Sequence, residues 1–113
     1  MKKIEAIIRP MRLEIVKSAL GEAGITGMTV SDVRGCGRQG PETFGSFRGE
    51  EYIIRLPSKI RLELTVPDDE VDRVLDIIVE NARTGQEGDG KIFVYDLDSA
   101  VRIRTGEKDK DAL

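Results

Sequence analysis

Residues 60–82 read IRLELTVPDDEVDRVLDIIVENA. Ile60, Leu62, Leu64 and Val66 alternate with Arg61, Glu63 and Thr65, which is the period of two of a strand with one buried face. Pro67 closes that strand. Asp68 and Asp69 then supply a cap and a complement to the helix dipole, and Val71, Val74, Leu75, Ile78 and Ala82 recur at helical spacing. A switch of period from 2 to 3.6 across one proline defines a strand–helix unit, and the rest of the chain can be placed around it.

Upstream lies a second such unit. Ile4, Ala6 and Ile8 alternate with Lys3, Glu5 and Ile7 and give a first strand, ended by Pro10. From Met11 to Ala23 the residues Leu13, Val16, Leu20 and Ala23 share one helix face, with Pro10 near its start and Gly24 just past its end, where a left-handed cap is wanted. Met28, Val30 and Val33 suggest a strand running toward Gly35. From Gly37 to about Arg55 there are too many glycines and prolines for a packed element, although 51–55 could pair transiently. A loop of this length in a small domain is usually functional. Downstream, a glycine-rich run ends the second helix near Arg83 and Lys91 to Asp96 forms a fourth strand. Val101 and Ile103, alternating with Arg102 and Arg104, predict a short extended segment before a flexible tail over 107–113.

The order is strand, helix, strand, strand, helix, strand. It predicts an α+β fold, the ferredoxin-like βαββαβ sandwich with a long loop between the second and third strands, in one domain spanning 1–113. Right-handed crossovers put both helices on one sheet face. The other face carries apolar residues such as Ile7, and oligomerisation is the simple way to cover them.

Composition narrows the function. The 113 residues hold 21 Asp and Glu against 18 Lys and Arg, a net charge of -3, which argues against a dedicated nucleic-acid binder. No apolar run reaches the roughly 20 residues that span a bilayer, and the start has no apolar leader, so the expected location is cytoplasmic without membrane insertion. The single Cys36 has no internal disulfide partner. There is no histidine, which removes the usual general base and phosphate-accepting nucleophile. An enzyme is therefore not expected. A small phosphotransferase or acyl-phosphate hydrolase would lack an activated nucleophile. An RNA-binding reading would use Phe93 and Tyr95 as stacking residues, but aromatics are 4% of the chain and no basic face accompanies them.

Three clusters suit an anion. Gly35-Cys36-Gly37-Arg38-Gln39 stands where a strand enters the long loop, with glycines that allow close backbone approach and a guanidinium fork. Alone, it is an ordinary turn with a solvated Arg. Thr84-Gly85-Gln86-Glu87-Gly88-Asp89-Gly90-Lys91 suits a phosphate cradle, but its Lys opens a strand, unlike a Walker loop, where the Lys precedes a helix. Arg102 and Arg104, two apart on an extended segment, would point to the same side. Together, Arg38, Lys91, Arg102 and Arg104 are a costly concentration of like charge unless a polyanion sits among them. A nucleotide polyphosphate fits.

These motifs, with Lys2-Lys3-Ile4-Glu5-Ala6-Ile7-Ile8-Arg9-Pro10, Gly24-Ile25-Thr26-Gly27-Met28-Thr29-Val30 and Arg102-Ile103-Arg104-Thr105-Gly106-Glu107, resemble the PII nitrogen-regulatory signal proteins over nearly the whole chain. The resemblance implies a homotrimer with ATP or ADP in each cleft between neighbours. It assigns phosphate contacts to Gly35, Gly37, Arg38, Gly88, Asp89, Gly90 and Lys91 of one subunit and to Arg102 and Arg104 of the next, and places Thr29 and Glu63 near the adenine. A second ligand, 2-oxoglutarate, would bind through Mg²⁺, with Gln39 on the metal and Lys59 near a carboxylate. The segment of about 38–55 corresponds to the family's T-loop, through which ammonium transporters or nitrogen-metabolism enzymes are controlled. In it, Tyr52 corresponds to a tyrosine that some members have uridylylated, and Arg48 to a transporter-plugging residue. The family commonly has Lys-Gly after the Gln, whereas Gly40 and Pro41 stand here, and Pro41 has no N–H to offer a carboxylate. The second reading is thus a divergent nucleotide sensor similar to this family that does not bind 2-oxoglutarate and serves another pathway.

Overall fold

The structure, a computed structural model, describes residues 1–38, 42–45 and 52–113. Strands β1 (Lys2–Ile8), β2 (Thr29–Arg34), β5 (Ser58–Val66) and β6 (Gly90–Asp96) form one sheet in the order β2-β5-β1-β6, and every neighbouring pair is antiparallel. Helices α1 (Leu13–Glu22) and α2 (Val71–Ala82) pack on it.

The core follows the predicted periods. Ile4, Ala6 and Ile8 of β1 and Ile60, Leu62, Leu64 and Val66 of β5 are buried against Val16 and Leu20 of α1 and Val74, Ile78 and Ala82 of α2. Register Ile4↔Leu64, Ala6↔Leu62 and Ile8↔Ile60 sets these side chains in facing pairs on the helix side of the sheet. A slip of one residue would expose all of them. β5 starts two residues before Ile60, so Lys59 enters the sheet and is itself buried.

Helix ends differ in how they are made. After α1, Gly24 takes φ +84°, Ile25 N–H donates to Leu20 O at 2.9 Å and Gly24 N–H to Gly21 O at 3.0 Å. This paired closure needs the left-handed conformation that glycine adopts without strain. At the C-terminus of α2, Arg12 reaches across from the start of α1 and donates to Asn81 O through Nε (2.9 Å) and Nη2 (2.7 Å). A cation on a terminal carbonyl satisfies an orphan acceptor and complements the dipole. Arg12→Ala is expected to lower unfolding free energy by about 1–2 kcal/mol, read by urea denaturation at fixed protein concentration.

Three expectations are corrected. Asp68 does not cap α2: Pro67 already holds the extended geometry of a cap residue, and Asp68–Glu70 form a 3-10 turn without a side-chain cap bond. Asp68 instead accepts from the N-terminal ammonium at 2.6 Å. The loop after β2 is not wholly irregular, because β3 (Glu42–Gly45) pairs antiparallel with β4 (Tyr52–Arg55). The β-favouring Thr43, Phe44, Tyr52, Ile53 and Ile54 outweigh the breakers there. Finally, Val101 to Arg104 is no strand. Val101 makes a single bridge with Lys108, and the chain turns back with Arg102 N–H on Glu107 O (2.8 Å) and Gly106 N–H on Arg102 O (2.7 Å). Gly106, at φ +73°, makes that reversal possible. A 3-10 turn over Asp109–Ala112 follows.

Candidate functional site

Antiparallel pairing brings distant glycine-rich segments together. β2 ends at Arg34 opposite Ser58, and β6 begins at Gly90 opposite Ile8, so the segments 35–38 and 86–91 meet at one end of the sheet. Between them lies a cleft of about 1130 Å³, lined among others by Gly35, Gly37, Arg38, Lys59, Gly88, Asp89, Gly90 and Lys91. Its basic side chains Arg34, Arg38, Lys59, Arg61 and Lys91 outnumber the acidic Glu5, Glu87 and Asp89. Arg38 and Lys91 form no ion pair with any described residue.

The loop from 84 to 91 is organised from its own inside. Gly85, Gly88 and Gly90 have φ of +87°, +94° and +103°, which lets the backbone reverse repeatedly. The Asp89 carboxylate turns into the loop, where it accepts from Thr84 N–H (2.8 Å), Gly85 N–H (2.9 Å), the Thr84 hydroxyl and Arg9 Nε (3.0 Å). Arg9 Nη2 also takes the carbonyl of Glu87 at 2.6 Å, and Lys59 Nζ takes the carbonyl of Gly88. The Asp89 carboxylate and the carbonyls of Glu87 and Gly88 are thereby engaged by the protein. The N–H groups of Glu87 and Gly88 have no partner among the described residues. Successive N–H groups of a glycine-rich turn without a partner among the described residues, beside cations, have the form of an anion-binding concavity.

Four donors hold the Asp89 carboxyl well below the usual carboxylate range, the Thr84 hydroxyl contributing most, then its N–H, with Arg9 and Gly85 adding to them. A depressed pKa means that the ionised form is favoured by folding. Its contribution is therefore complete above the ordinary aspartate value of 3.8 and is lost only as pH falls toward the depressed value. In a carbon-detected titration of the carboxyl groups, Asp89 is expected to remain ionised down to about pH 3, where ordinary aspartates are mostly protonated.

The remaining predicted residues lie elsewhere. Thr29 opens β2 directly opposite Glu63 of β5. Glu63 pairs with Lys3 at 3.2 Å, and Arg61 Nε lies 2.9 Å away from it without the alignment to donate. Glu63 also lines a second cavity of about 590 Å³ with residues 23–27. Arg102 and Arg104 do not line the cleft. Arg102 bonds Glu107 at 3.0 Å and Leu113 O at 3.3 Å, and the two stand on either side of a turn tip where Ile103 is 99% exposed. Tyr52 is the first residue of β4, opposite Gly45. Gln39 and Arg48 lie outside the described residues. Among the described residues no three His, Cys, Asp or Glu side chains are grouped to hold a metal. No described helix is long and apolar enough to cross a membrane.

Two residues at the site escape a reading of motifs. Arg9 reads as the end of a strand before Pro10, and Thr84 as the edge of a glycine run. The only signal for Arg9 is the β1–β6 register, which sets Ile8 against Gly90 and so carries the next residue to Asp89.

The sequence profile of the family described as nitrogen regulatory protein P-II matches residues 1–107. Among curated proteins, the "Nitrogen regulatory protein P-II" of Synechocystis sp. is 56% identical and that of Pasteurella multocida 51% identical, each over 113 residues and the full length of both chains. The "Nitrogen regulatory protein P-II 1" of Escherichia coli is 52% identical, again over both full lengths. With a profile match across nearly all of its residues and full-length relatives above half identity, the chain belongs to the P-II family of nitrogen regulatory proteins.

Proposed function

We propose that this protein is a cytoplasmic sensor of adenine nucleotide that regulates nitrogen metabolism by binding and without catalysis. The observation that carries the proposal is the loop from 84 to 91, whose N–H groups at 87 and 88 have no partner among the described residues while the Asp89 carboxylate and the carbonyls of Glu87 and Gly88 are engaged, in a cleft with Arg38 and Lys91, which pair with no described residue. This is a site for the phosphates of ATP or ADP. Gly35 and Gly37 let the opposite wall approach closely, and Thr29 and Glu63, farther along the sheet, are assigned to the adenine end.

The working assembly is a homotrimer of ferredoxin-like subunits. The sheet order supports the subunit fold, and the half-exposed Phe93, Val94 and Tyr95 together with the fully exposed Ile103 are surfaces for a neighbour. Because Arg102 and Arg104 lie outside the cleft of their own chain, they complete the site of the next. The segment of about 38–55 acts as the T-loop: ligands with different affinity for two of its conformations set its binding to an ammonium transporter or a nitrogen-metabolism enzyme. Arg48 is assigned to such a contact, and Tyr52 to uridylylation.

With no cluster of protein ligands among the described residues, Mg²⁺ would be held chiefly by phosphate oxygens, with the Gln39 amide oxygen as the protein's donor. The ion would supply charge neutralisation and a bridge to the oxoacid. Lys59 would offer a cation to a carboxylate of 2-oxoglutarate, at the expense of its bond to Gly88 O. The second reading, nucleotide sensing without the oxoacid, is favoured by Pro41, which removes one N–H two residues after Gln39. Calorimetric titration with ATP, ADP and AMP, repeated with 2-oxoglutarate and Mg²⁺, decides. Saturable binding of ATP and ADP, with AMP at least about tenfold weaker for loss of phosphate contacts, supports the proposal. Indifference to all three nucleotides would end it. ATP binding that the oxoacid never tightens selects the second reading.

A further inference from the structure

We propose that Thr84 and Arg9 are positioning residues for the phosphate loop, acting through the inward-turned carboxylate of Asp89. The inference deepens the nucleotide-binding reading and rests on it. A carboxylate pointing at a polyphosphate would repel it. In this loop every lone-pair direction of Asp89 that could do so is occupied: one oxygen takes the Thr84 hydroxyl and Arg9 Nε, the other takes the N–H groups of Thr84 and Gly85. Asp89 therefore serves the ligand by shaping the turn, while its charge is kept inside.

Thr84 closes the turn twice. Its hydroxyl donates to Asp89 and accepts from Gln86 N–H at 3.2 Å, so one side chain fixes both ends of a glycine-rich segment that would otherwise sample many conformations. Arg9, fixed at the end of β1, ties the same carboxylate and the Glu87 carbonyl to the sheet. Removing either group frees the carboxylate to rotate and the carbonyls to turn toward the cleft. An anion then meets acceptors in place of donors. Binding suffers because the loop must be ordered at the moment of association.

The test is a double-mutant cycle on ATP affinity, measured by calorimetry on the full chain. Thr84→Val keeps the shape and removes the hydroxyl, and Asp89→Asn removes the charge. Each is expected to weaken ATP about tenfold, the loss of a charge-assisted hydrogen bond that orders the loop. Because both act through one carboxylate, the double variant should be no more than about twofold weaker than the worse single one. Thr84→Ser, which restores the hydroxyl, should return affinity to within about threefold of wild type, where a purely steric role for the threonine methyl would leave it impaired. Arg9→Gln should likewise lose most of its effect in the Asp89→Asn background. Additive losses in the cycle, or Thr84→Val at wild-type affinity, would overturn the proposal while leaving nucleotide binding intact. A wild-type chain that fails to bind ATP would overturn both. Circular dichroism and thermal unfolding of each variant separate a displaced loop from a misfolded domain, and Thr84→Ser remains decisive if Thr84→Val does not fold.

Discussion

Gly90→Ala is expected to cost about 4 kcal/mol or more of stability, the range of severe core lesions, and at 37 °C to leave little folded protein. Gly90 begins β6 at φ +103°, a backbone conformation that side-chain-bearing residues strongly avoid. Strain is the smaller part. A Cβ built there would stand 1.7 Å from Ile7 O and 2.8 Å from Ile7 C, far inside any contact distance, and both obstacles are backbone atoms. Neither can swing aside, because Ile7 and Ile8 are held in the middle of the sheet between β5 and β6. Relief requires the β1–β6 ladder to open, which also moves the phosphate loop. Gly85→Ala is the control: φ is +87°, but nothing lies within 4 Å of its Cβ, so only the conformational penalty of about 1–2 kcal/mol applies. Urea unfolding of both variants at one protein concentration checks this, since the stability of the proposed oligomer would depend on concentration. Equal, mild effects would mean that the crossing of β6 over Ile7 is not as described.

Lys91→Ala should have the opposite signature. Lys91 is exposed and forms no ion pair with a described residue, so unfolding free energy should stay within about 0.5 kcal/mol of wild type. ATP affinity should fall about a hundredfold, roughly 2.7 kcal/mol, for the loss of one charge-assisted contact to phosphate. The salt dependence of binding should weaken in parallel, since one fewer unit charge is screened. AMP, which reaches fewer of these groups, should be affected least. A large loss of stability with unchanged nucleotide affinity would move Lys91 from the ligand to the fold.

The elements of the fold were legible wherever burial imposes a period. Ile60 to Val66 and Val71 to Ala82 carry their periods cleanly because one face of each meets the core, and no tertiary contact contradicts the local preference. Legibility failed where the backbone geometry of a neighbouring residue, or a contact distant in sequence, decides. Asp68 reads as a cap, but the extended geometry of Pro67 moves the start of the helix turn. Arg102 and Arg104 read as one strand face, but Thr105 and Gly106 reverse the chain between Arg102 and Glu107. At the site, the glycine runs and the cations were visible as residue types at suggestive spacings. Their meeting in one cleft was not, because it depends on the register of β6 on β1 and of β2 on β5. The same holds for Asp89. The residue stands in the motif, but the direction of its carboxylate is set by Thr84 and Arg9, which pattern alone does not single out.

Convergence of Lys91 and the Arg102–Arg104 pair from different subunits on one polyphosphate is the central claim, and mixing of two defective variants tests it most directly. Lys91→Ala and the double variant Arg102→Ala, Arg104→Ala are each expected to be too weak to retain ATP at a concentration that saturates wild type. Unfolded together in equal amounts and refolded, they form mixed rings in which a site has Lys91 from one subunit and both arginines from its neighbour with a probability of about one in four. Tight ATP binding by about a quarter of the sites is the expected result. A mixture that binds no better than the separate variants would show that each site is built within a single chain.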